Sequence, residues 1–394
     1  TNTGSVAGKD VVEVYYNPPY TNGGIEKASA NLVAFEKTGV LEPGASEEVT
    51  VEFDPLYFAS YDENAVKENG TKGAWVLEDG DYYFAIGNGA HEALNNVLAK
   101  KTGSTDNLVM TAATEEINAD NAILWNLGAT DMETYSVNVE NQLQDMDINK
   151  LIADTVEYTT RSDWTKGWKT VDAITPTEEM MVGLRDLVYT FGENTGDAVT
   201  WGQSGQRKLI DAVLTEDDGT YIGVLDFDDP IWDELLNQIT LDEAIQFLSK
   251  AGDDLENIDS IQLARVYCND GPLGYTGDQV GGYYVRWTTN DQNNPYYTAE
   301  TAEMATYRMA SMPTEPMVAA TFNKELIERE GELLGEDGLW AKESSIYAPG
   351  LNLHRTVYCA RNHEYYSEDS VLTAIMGNAV CAGLQAKGTM AEPK

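Results

Sequence analysis

The first hundred residues alternate between apolar and polar side chains, as expected for strands with one buried face. Two such runs are Val49, Val51, Phe53 and Tyr82, Phe84, Ile86. Turn-forming stretches such as "EPGAS" and "EDGD" separate the runs, and short strands at this spacing are typical of an antiparallel β-sandwich. Residues 1–100 are therefore predicted to form a β domain.

Residues 101–228 are less periodic and are interpreted as a connecting segment with some helix. The clearest helical pattern is "TPTEEMMVGLRDLV", in which Thr175 is a suitable N-cap and Pro176 occupies the first helical position. The same segment carries "RSDW" at 161–164 and "KLID" at 208–211.

From residue 229 onward the apolar spacing changes to the helical period of 3.6. Two short amphipathic helices are predicted from the stripe of Ile231, Leu235, Ile239, Ala244, Phe247 and Leu248. Thr240 with Glu243 three residues later forms a predicted capping box for the second helix. A strand should then end at "NDGPLGY", before a polar insertion at 275–299.

Helical and strand patterns alternate through the rest of the chain. Helices are predicted at "TYRMASM" and "FNKELIEREGELLGEDGLW", a strand at "SSIYAPG", and a helix from Val371 to Lys387 whose buried stripe is Leu372, Ile375, Ala379 and Leu384. This alternation fits the start of a (β/α) barrel, in which working residues follow the carboxyl ends of the strands. Asp270 and Arg361 should then share one face.

Composition narrows the classes of partner. The 394 residues exceed the size of one hydrophobic core, so more than one domain is expected. Sixty-six acidic residues against 25 basic ones give a net charge of −41, which disfavours binding to nucleic acid or anionic lipid. Three widely spaced cysteines, Cys268, Cys359 and Cys381, indicate neither a disulfide framework nor a zinc site.

The densest group of candidate functional side chains lies in "APGLNLHRTVYCARNHEYYSED", residues 348–369. His354 and His363 are nine residues apart without a third strong ligand nearby, so no metal site is predicted. Glu364, Glu368 and Asp369 are expected mainly to cap the helix that follows, where acidic groups suit the helix dipole.

Three ordered motifs resemble glycoside hydrolase family three, the β-glucosidase and β-xylosidase family. The first resembles Asp-Gly-Pro-x-Gly, the second Gly-Pro-Gly-x-Asn-x-His-Arg, and the third Gly-Arg-Asn-Phe-Glu-x-Phe-Ser-Glu-Asp-Pro, with a final match to the Lys of Lys-His-Phe. The matching residues are Asp270, Gly271, Pro272, Gly274, Pro349, Gly350, Asn352, His354, Arg355, Arg361, Asn362, Glu364, Ser367, Glu368, Asp369 and Lys394.

Residues 1–100 also resemble the fibronectin type III-like domain of this family, through "TNTGSVAGKDVVEVYY" and "DGDYYFAIGN". That domain precedes the barrel here, as in a subgroup of reversed domain order whose joining segment carries similar "RSDW" and "KLID" motifs. The resemblance implies a multidomain fold: a fibronectin type III-like β-sandwich, apparently without its first strand, a linker over 101–228, and the first part of a (β/α)8 TIM-type barrel over 229–394. Ser162-Asp163-Trp164 would belong to the linker and not be the nucleophile.

The resemblance also implies roles for single residues. Asp270, Arg361 and Lys394 match positions that hydrogen-bond sugar hydroxyls in the −1 subsite, and a carboxylate, a guanidinium and an ammonium suit that task. His354, Arg355, Asn362 and Glu364 are expected to support the loop. No cofactor is implied.

The family hydrolyses β-glycosides with retention, using a carboxylate nucleophile and a general acid, and neither is matched in this chain. The sequence therefore resembles an internal fragment of an exo-acting β-glycosidase, with the rest of the barrel and an α/β sandwich supplied as continuation or as another chain, and with a His expected after Lys394. The expected partner is a β-linked oligosaccharide or glycoside; a homo-oligomer is left open, and an extracellular or cell-surface bacterial location is favoured. The alternative is a non-catalytic carbohydrate-binding or scaffold protein.

Overall fold

The structure of the protein is a computed structural model, in which the chain forms two compact units, Thr1–Val188 and Tyr189–Lys394. The structure describes residues 1–106, 108–109, 111–142, 160–163, 175–179, 181–182, 200–250, 254–275, 310–341 and 343–394. No helix within these ranges has the length and apolar character needed to cross a membrane.

The first unit is built on a four-stranded antiparallel sheet with strand order β2-β1-β5-β6. A separate antiparallel hairpin pairs β3 with β4. The strands are β1 (Val11–Asn17), β2 (Asn31–Lys37), β3 (Ser60–Val66), β4 (Lys72–Val76), β5 (Gly80–Gly87) and β6 (Ala122–Leu127). Helix α1 (Ala90–Thr102) follows β5 and ends at Gly103, which adopts the left-handed conformation that glycine tolerates.

Aromatic side chains fill the core of the first unit. Tyr82 and Phe84 of β5 are buried against Phe58, as their alternation predicts, whereas Ile86 is largely exposed. The predicted strand at Val49–Phe53 is wrong, because this segment has no ladder hydrogen bonds and lies outside every strand. Phe53 nevertheless stacks on Phe84 with ring centroids 5.5 Å apart, so its apolar character reflects packing.

The second unit begins, within the described residues, with small elements around an aliphatic core. A hairpin of β7 (Val213–Thr215) and β8 (Tyr221–Val224) precedes helices α2 (Ile231–Gln238) and α3 (Leu241–Lys250). The capping box is confirmed: Thr240 N–H donates to Glu243 Oε2 at 2.9 Å, and Glu243 N–H donates to Thr240 Oγ1 at 3.2 Å. Leu248 was wrongly placed in the buried stripe, since it is exposed and only the other five positions pack on this core.

The remainder of the second unit alternates strands and helices. A parallel sheet of order β11-β10-β9 joins β9 (Cys268–Asp270), β10 (Ser345–Tyr347) and β11 (Met390–Ala391). Helices α4 (Glu315–Ala319) and α5 (Lys324–Ala341) lie between β9 and β10 in sequence, and α6 (Ser370–Ala386) lies between β10 and β11. Two strand–helix–strand repeats therefore bring the carboxyl ends of three strands to one edge.

Glycines let α5 and α6 cross closely. A Cβ at Gly383 of α6 would lie 2.0 Å from the carbonyl oxygen of Glu328, and one at Gly331 of α5 would lie 2.3 Å from that of Val380. These distances exclude any side chain without a shift of a helix. The two helices thus form a tight pair beside the sheet.

Some sequence predictions concern residues outside the described ranges. Trp164, the insertion at 276–299, most of "TYRMASM" and most of the helix predicted from Thr175 belong to this group. The domain limits at residues 100 and 228 remain predictions. Two observations bear on them: β6 completes the first sheet from residues 122–127, and Ala212 is buried in one core with Ile231.

Candidate functional site

The three residues predicted to contact sugar come together at the carboxyl edge of the parallel sheet. Asp270 is the last residue of β9, Arg361 lies in the loop after β10, and Lys394 follows β11. The sheet therefore gathers side chains that are up to 124 residues apart in sequence. We call these residues, with Glu364, the edge cluster.

Ion pairs connect the edge cluster. Lys394 Nζ lies 3.0 Å from Asp270 Oδ1 and 3.2 Å from Glu364 Oε2. The other oxygen of Glu364, Oε1, accepts a hydrogen bond from Arg361 Nε. Glu364 thus bridges the guanidinium and the ammonium, and Lys394 bridges the two carboxylates.

The members of the edge cluster differ in burial: one carboxylate is buried, and the other three side chains are partly exposed to solvent. The Glu364 side chain is only 8% exposed, whereas Asp270 and Arg361 are 53% and 54% exposed and Lys394 is 27% exposed. Both oxygens of Glu364 are engaged by cations, while Asp270 bonds Lys394 through one oxygen. A neutral polyol could therefore meet Asp270, Arg361 and Lys394, with Glu364 holding the two cations.

The electrostatics favour the charged form of this support. Burial acts to raise the pKa of Glu364, but hydrogen bonds from Arg361 and Lys394 outweigh it, and the pKa is lowered. The same contact with Glu364 raises the pKa of Arg361. Two acids and two bases give the cluster a formal charge near zero within a strongly acidic chain, which suits an uncharged, hydroxyl-rich ligand.

The loop residues predicted to be supporting make internal contacts. His354 Nε2 lies 2.8 Å from the carbonyl oxygen of Tyr365, so this nitrogen carries the proton, and Asn362 Nδ2 donates to the carbonyl of Thr356 at 2.8 Å. Arg355 is exposed. His354 and Asn362 thus tie the loop to itself, and among the described residues no group of three or more His, Cys, Asp or Glu is arranged to hold a metal ion.

A turn at residues 349–351 holds the backbone of Lys394 through two hydrogen bonds. Leu351 N–H donates to the Lys394 carbonyl at 2.5 Å, and Lys394 N–H donates to the Pro349 carbonyl at 3.0 Å. Gly350 within the turn receives no side chain, because a Cβ there would lie 2.1 Å from the carbonyl oxygen of Glu364. The turn therefore positions the backbone of Lys394 and contacts that of Glu364.

Another glycine shapes the loop after β9. Gly271 has φ +147°, and a Cβ on it would lie 2.1 Å from the carbonyl oxygen of Gly274. Only glycine fits this tight turn, which follows Asp270 directly and so sets the direction in which the chain leaves the cluster.

Two acids with raised pKa values, the buried Glu315 and the half-buried Glu330, had no role predicted from the sequence. Glu315 at the start of α4 is 4% exposed and accepts a hydrogen bond from Gly350 N–H at 3.2 Å. Burial raises its pKa to about 9 and raises that of Glu330 on α5 to about 7. The only sequence signal was a glutamate between Thr314 and Pro316 in a mostly apolar segment, which is too common to single out.

The remaining candidates have structural positions. Asp369 caps α6, its Oδ1 accepting from Val371 N–H at 2.9 Å and Leu372 N–H at 3.0 Å, as predicted. Glu368 is exposed and makes no cap. In the first unit, Asp163 Oδ1 accepts from Thr160 N–H at 2.6 Å within a local turn.

Comparison with known proteins agrees with both parts of the resemblance. A family model described as fibronectin type III-like domain matches residues 10–90, which include the sheet strands β1, β2 and β5.

Curated relatives match along the whole chain. A β-glucosidase of Ruminococcus albus is 27% identical over 98% of this chain and 33% of its own length. β-Glucosidase A of Butyrivibrio fibrisolvens is 25% identical over 100% of this chain and 40% of its own length. The chain thus spans between a third and two fifths of these relatives.

A solved structure shows the same fold. The crystal structure of a β-glucosidase from Paenibacillus barengoltzii superposes with a TM-score of 0.55 at 20% identity, covering 100% of this chain and 36% of that one. The domain match, the sequence relatives and this shared fold agree with the resemblance of the ordered motifs around Asp270 and Arg361 to glycoside hydrolase family three.

Proposed function

We propose that this chain is part of a retaining, exo-acting β-glycosidase of β-glucosidase type and that it supplies sugar contacts of the −1 subsite. The observation that carries the proposal is the meeting of Asp270, Arg361 and Lys394 at one edge of the parallel sheet, with Lys394 Nζ 3.0 Å from Asp270 Oδ1. The names of the relatives from Ruminococcus albus and Butyrivibrio fibrisolvens support β-glucosidase activity.

In this proposal the residues divide the work of binding. Asp270 accepts hydrogen bonds from sugar hydroxyls, while Arg361 and Lys394 donate to neighbouring sugar oxygens. Such contacts strengthen as the ring distorts toward an oxocarbenium-like state, and therefore lower the barrier as well as bind the sugar. Glu364 keeps the two cations in place, and His354, Arg355 and Asn362 belong to the supporting loop.

The same proposal assigns the catalytic carboxylates to parts of the enzyme outside these residues. The sheet of β9, β10 and β11, with α5 and α6 between its strands, corresponds in this view to the first part of a (β/α)8 barrel. The remainder of the barrel and an α/β sandwich would supply the nucleophile and the acid/base, either in continuation or as a partner chain.

The test uses the complete product of the reading frame that encodes this chain, assayed with aryl β-glucosides. Asp270→Asn removes a charge-assisted hydrogen bond to the sugar, worth about 1.5–3 kcal/mol, so kcat/KM should fall about 10- to 100-fold. Asp217→Asn makes the same charge change on an exposed residue of the β7–β8 turn and should leave kcat/KM unchanged.

Two outcomes would contradict the proposal. Equal activity of Asp270→Asn and Asp217→Asn would remove Asp270 from the sugar site. Absence of hydrolysis by the complete product, together with binding of β-linked oligosaccharides, would favour a non-catalytic carbohydrate-binding or scaffold protein.

A further inference from the structure

A buried carboxylic acid lies beneath the edge cluster. Glu315 is the first residue of α4 and is 4% exposed. Its Oε1 accepts from Gly350 N–H at 3.2 Å, while its Oε2 is buried and has no hydrogen-bond partner. Within the described residues no Lys or Arg forms an ion pair with it. A carboxylate in this position would be poorly compensated, so an uncharged acid fits better.

The groups around Glu315 strengthen this conclusion. Glu330 on α5, and Glu364 and Tyr366 in the segment between β10 and α6, interact electrostatically with Glu315, while Lys394 after β11 is the opposing cation. Burial is the largest influence and raises the pKa of Glu315 to about 9, with the two glutamates adding to the rise and the Gly350 N–H and Lys394 opposing it. Glu315 is therefore neutral at pH 7.

The contact with Gly350 links this acid to the edge cluster. Gly350 is the middle residue of the Pro349–Leu351 turn, whose two outer residues hydrogen-bond the backbone of Lys394. A Cβ at Gly350 would lie 2.1 Å from the Glu364 carbonyl oxygen and 3.2 Å from Glu315 Oε2. The turn is thus in close contact with the buried acid and with the backbones of two members of the cluster, Lys394 and Glu364.

We propose that Glu315 is a positioning residue for sugar binding: its uncharged carboxyl fixes the Pro349–Leu351 turn, and the turn holds Lys394 and Glu364 in register with Asp270. A displaced turn would move Lys394 away from Asp270 Oδ1, and the sugar contacts would weaken although none of the residues that touch the sugar had changed. The effect on substrate rests on the proposed function; the effect on the turn does not.

The test compares three variants of the complete reading-frame product at pH 7. Glu315→Gln keeps the shape and the oxygen that accepts from Gly350 N–H, whereas Glu315→Leu keeps an apolar volume but removes the acceptor. Glu330→Gln is the matched control, because it neutralises the half-buried acid on α5 and leaves the hydrogen bond between Glu315 and Gly350 N–H in place. Each variant is assayed for kcat and KM with an aryl β-glucoside and for hydrogen exchange of the Gly350 amide.

We expect Glu315→Leu to accelerate Gly350 exchange at least tenfold and to lower kcat/KM at least tenfold. Glu315→Gln should restore both values to within about threefold of the unmodified protein, and Glu330→Gln should leave Gly350 exchange unchanged. If Glu315→Leu does not fold, Glu315→Asp applies the same test, because the shorter side chain keeps the carboxyl but draws it away from Gly350.

Each contrary result has a distinct meaning. Unchanged Gly350 exchange in Glu315→Leu, or in Glu315→Asp where it replaces it, would overturn the proposal, and so would faster exchange with unchanged kcat/KM. Equal losses in Glu315→Gln and Glu315→Leu would also overturn it, since a shape-matched neutral group would then fail to substitute. If the unmodified protein hydrolyses no glycoside while Gly350 exchange responds as expected, the proposed function fails and the fixing of the turn stands.

Discussion

The buried acid Glu315 makes a quantitative prediction about how stability depends on pH. In the folded protein its pKa is raised from 4.5 to about 9 by burial, whereas in the unfolded chain it returns to the ordinary value. Between these two pH values the unfolded state has lost the proton and the folded state retains it. Stability therefore falls as pH rises through this window, by about 1.4 kcal/mol per pH unit for one group.

The perturbation that isolates this contribution is Glu315→Gln, which cannot titrate. From pH 6 to pH 8 the unmodified protein should lose about 3 kcal/mol more unfolding free energy than the variant. The buried amide of the glutamine adds a cost that is constant across pH, so the slope is the quantity to compare. Glu330, with a pKa raised to about 7, steepens both curves and remains present in both proteins.

The assay is urea unfolding at pH 6, 7 and 8, followed through native amide signals of α6 so that it reports on the second unit. Glu330→Gln provides the control, since it should flatten the curve mainly below pH 7 and leave the slope from pH 7 to 8 intact. Parallel curves for the unmodified protein and Glu315→Gln would refute the reasoning, because they would show that Glu315 is ionised in the folded state.

Three further predictions concern packing, capping and the ionic support. Gly383→Ala places a Cβ 2.0 Å from a backbone carbonyl oxygen of α5 and should lower the unfolding free energy by about 1–3 kcal/mol or more. The control Gly377→Ala lies in the same helix, but its Cβ meets only the end of a leucine side chain, so its loss of unfolding free energy should be smaller. Equal losses in urea unfolding would contradict the close crossing of α5 and α6. Asp369→Ala removes the cap of α6 and should cost about 1 kcal/mol, with faster amide exchange confined to the first turn; unchanged exchange there would exclude the cap. Glu364→Gln should lower the unfolding free energy by only roughly 1–2 kcal/mol at pH 7, because the partners of Glu364 are partly exposed and can be rehydrated. Since the pKa of Glu364 is lowered, the stabilisation by the ionised Glu364 is lost as pH falls below the ordinary glutamate pKa. A difference between the two proteins that does not depend on pH would exclude the ionic role.

Local patterns in the sequence were sufficient to predict many elements of the second unit. The spacing of Ile231, Leu235 and Ile239 predicted α2 and its buried face, and Thr240 with Glu243 predicted the cap of α3. These features depend on neighbours within one or two helical turns, which are written directly in the sequence. The strand predicted from the alternation at 49–53 does not form, because a strand also needs a neighbouring strand to pair with. The alternating pattern accounts for the packing of Phe53 but does not provide such a neighbour.

The ordered motifs also singled out Asp270, Arg361 and Lys394 as candidate sugar contacts, and the sequence pattern placed the first two on one face. Only the tertiary structure decided how these residues meet: parallel pairing of β9, β10 and β11 brings Asp270 within 3.0 Å of Lys394. It also decided the role of Glu364, whose sequence position suggested a helix cap but whose burial between two cations makes it their bridge. The sequence signal at Glu315 was too common to single this residue out, since a raised pKa arises from desolvation by residues distant along the chain. The local sequence thus determined which side chains are available and where the helices of the second unit form, whereas strand pairing, charge state and side-chain contacts depended on long-range packing that no local pattern encodes.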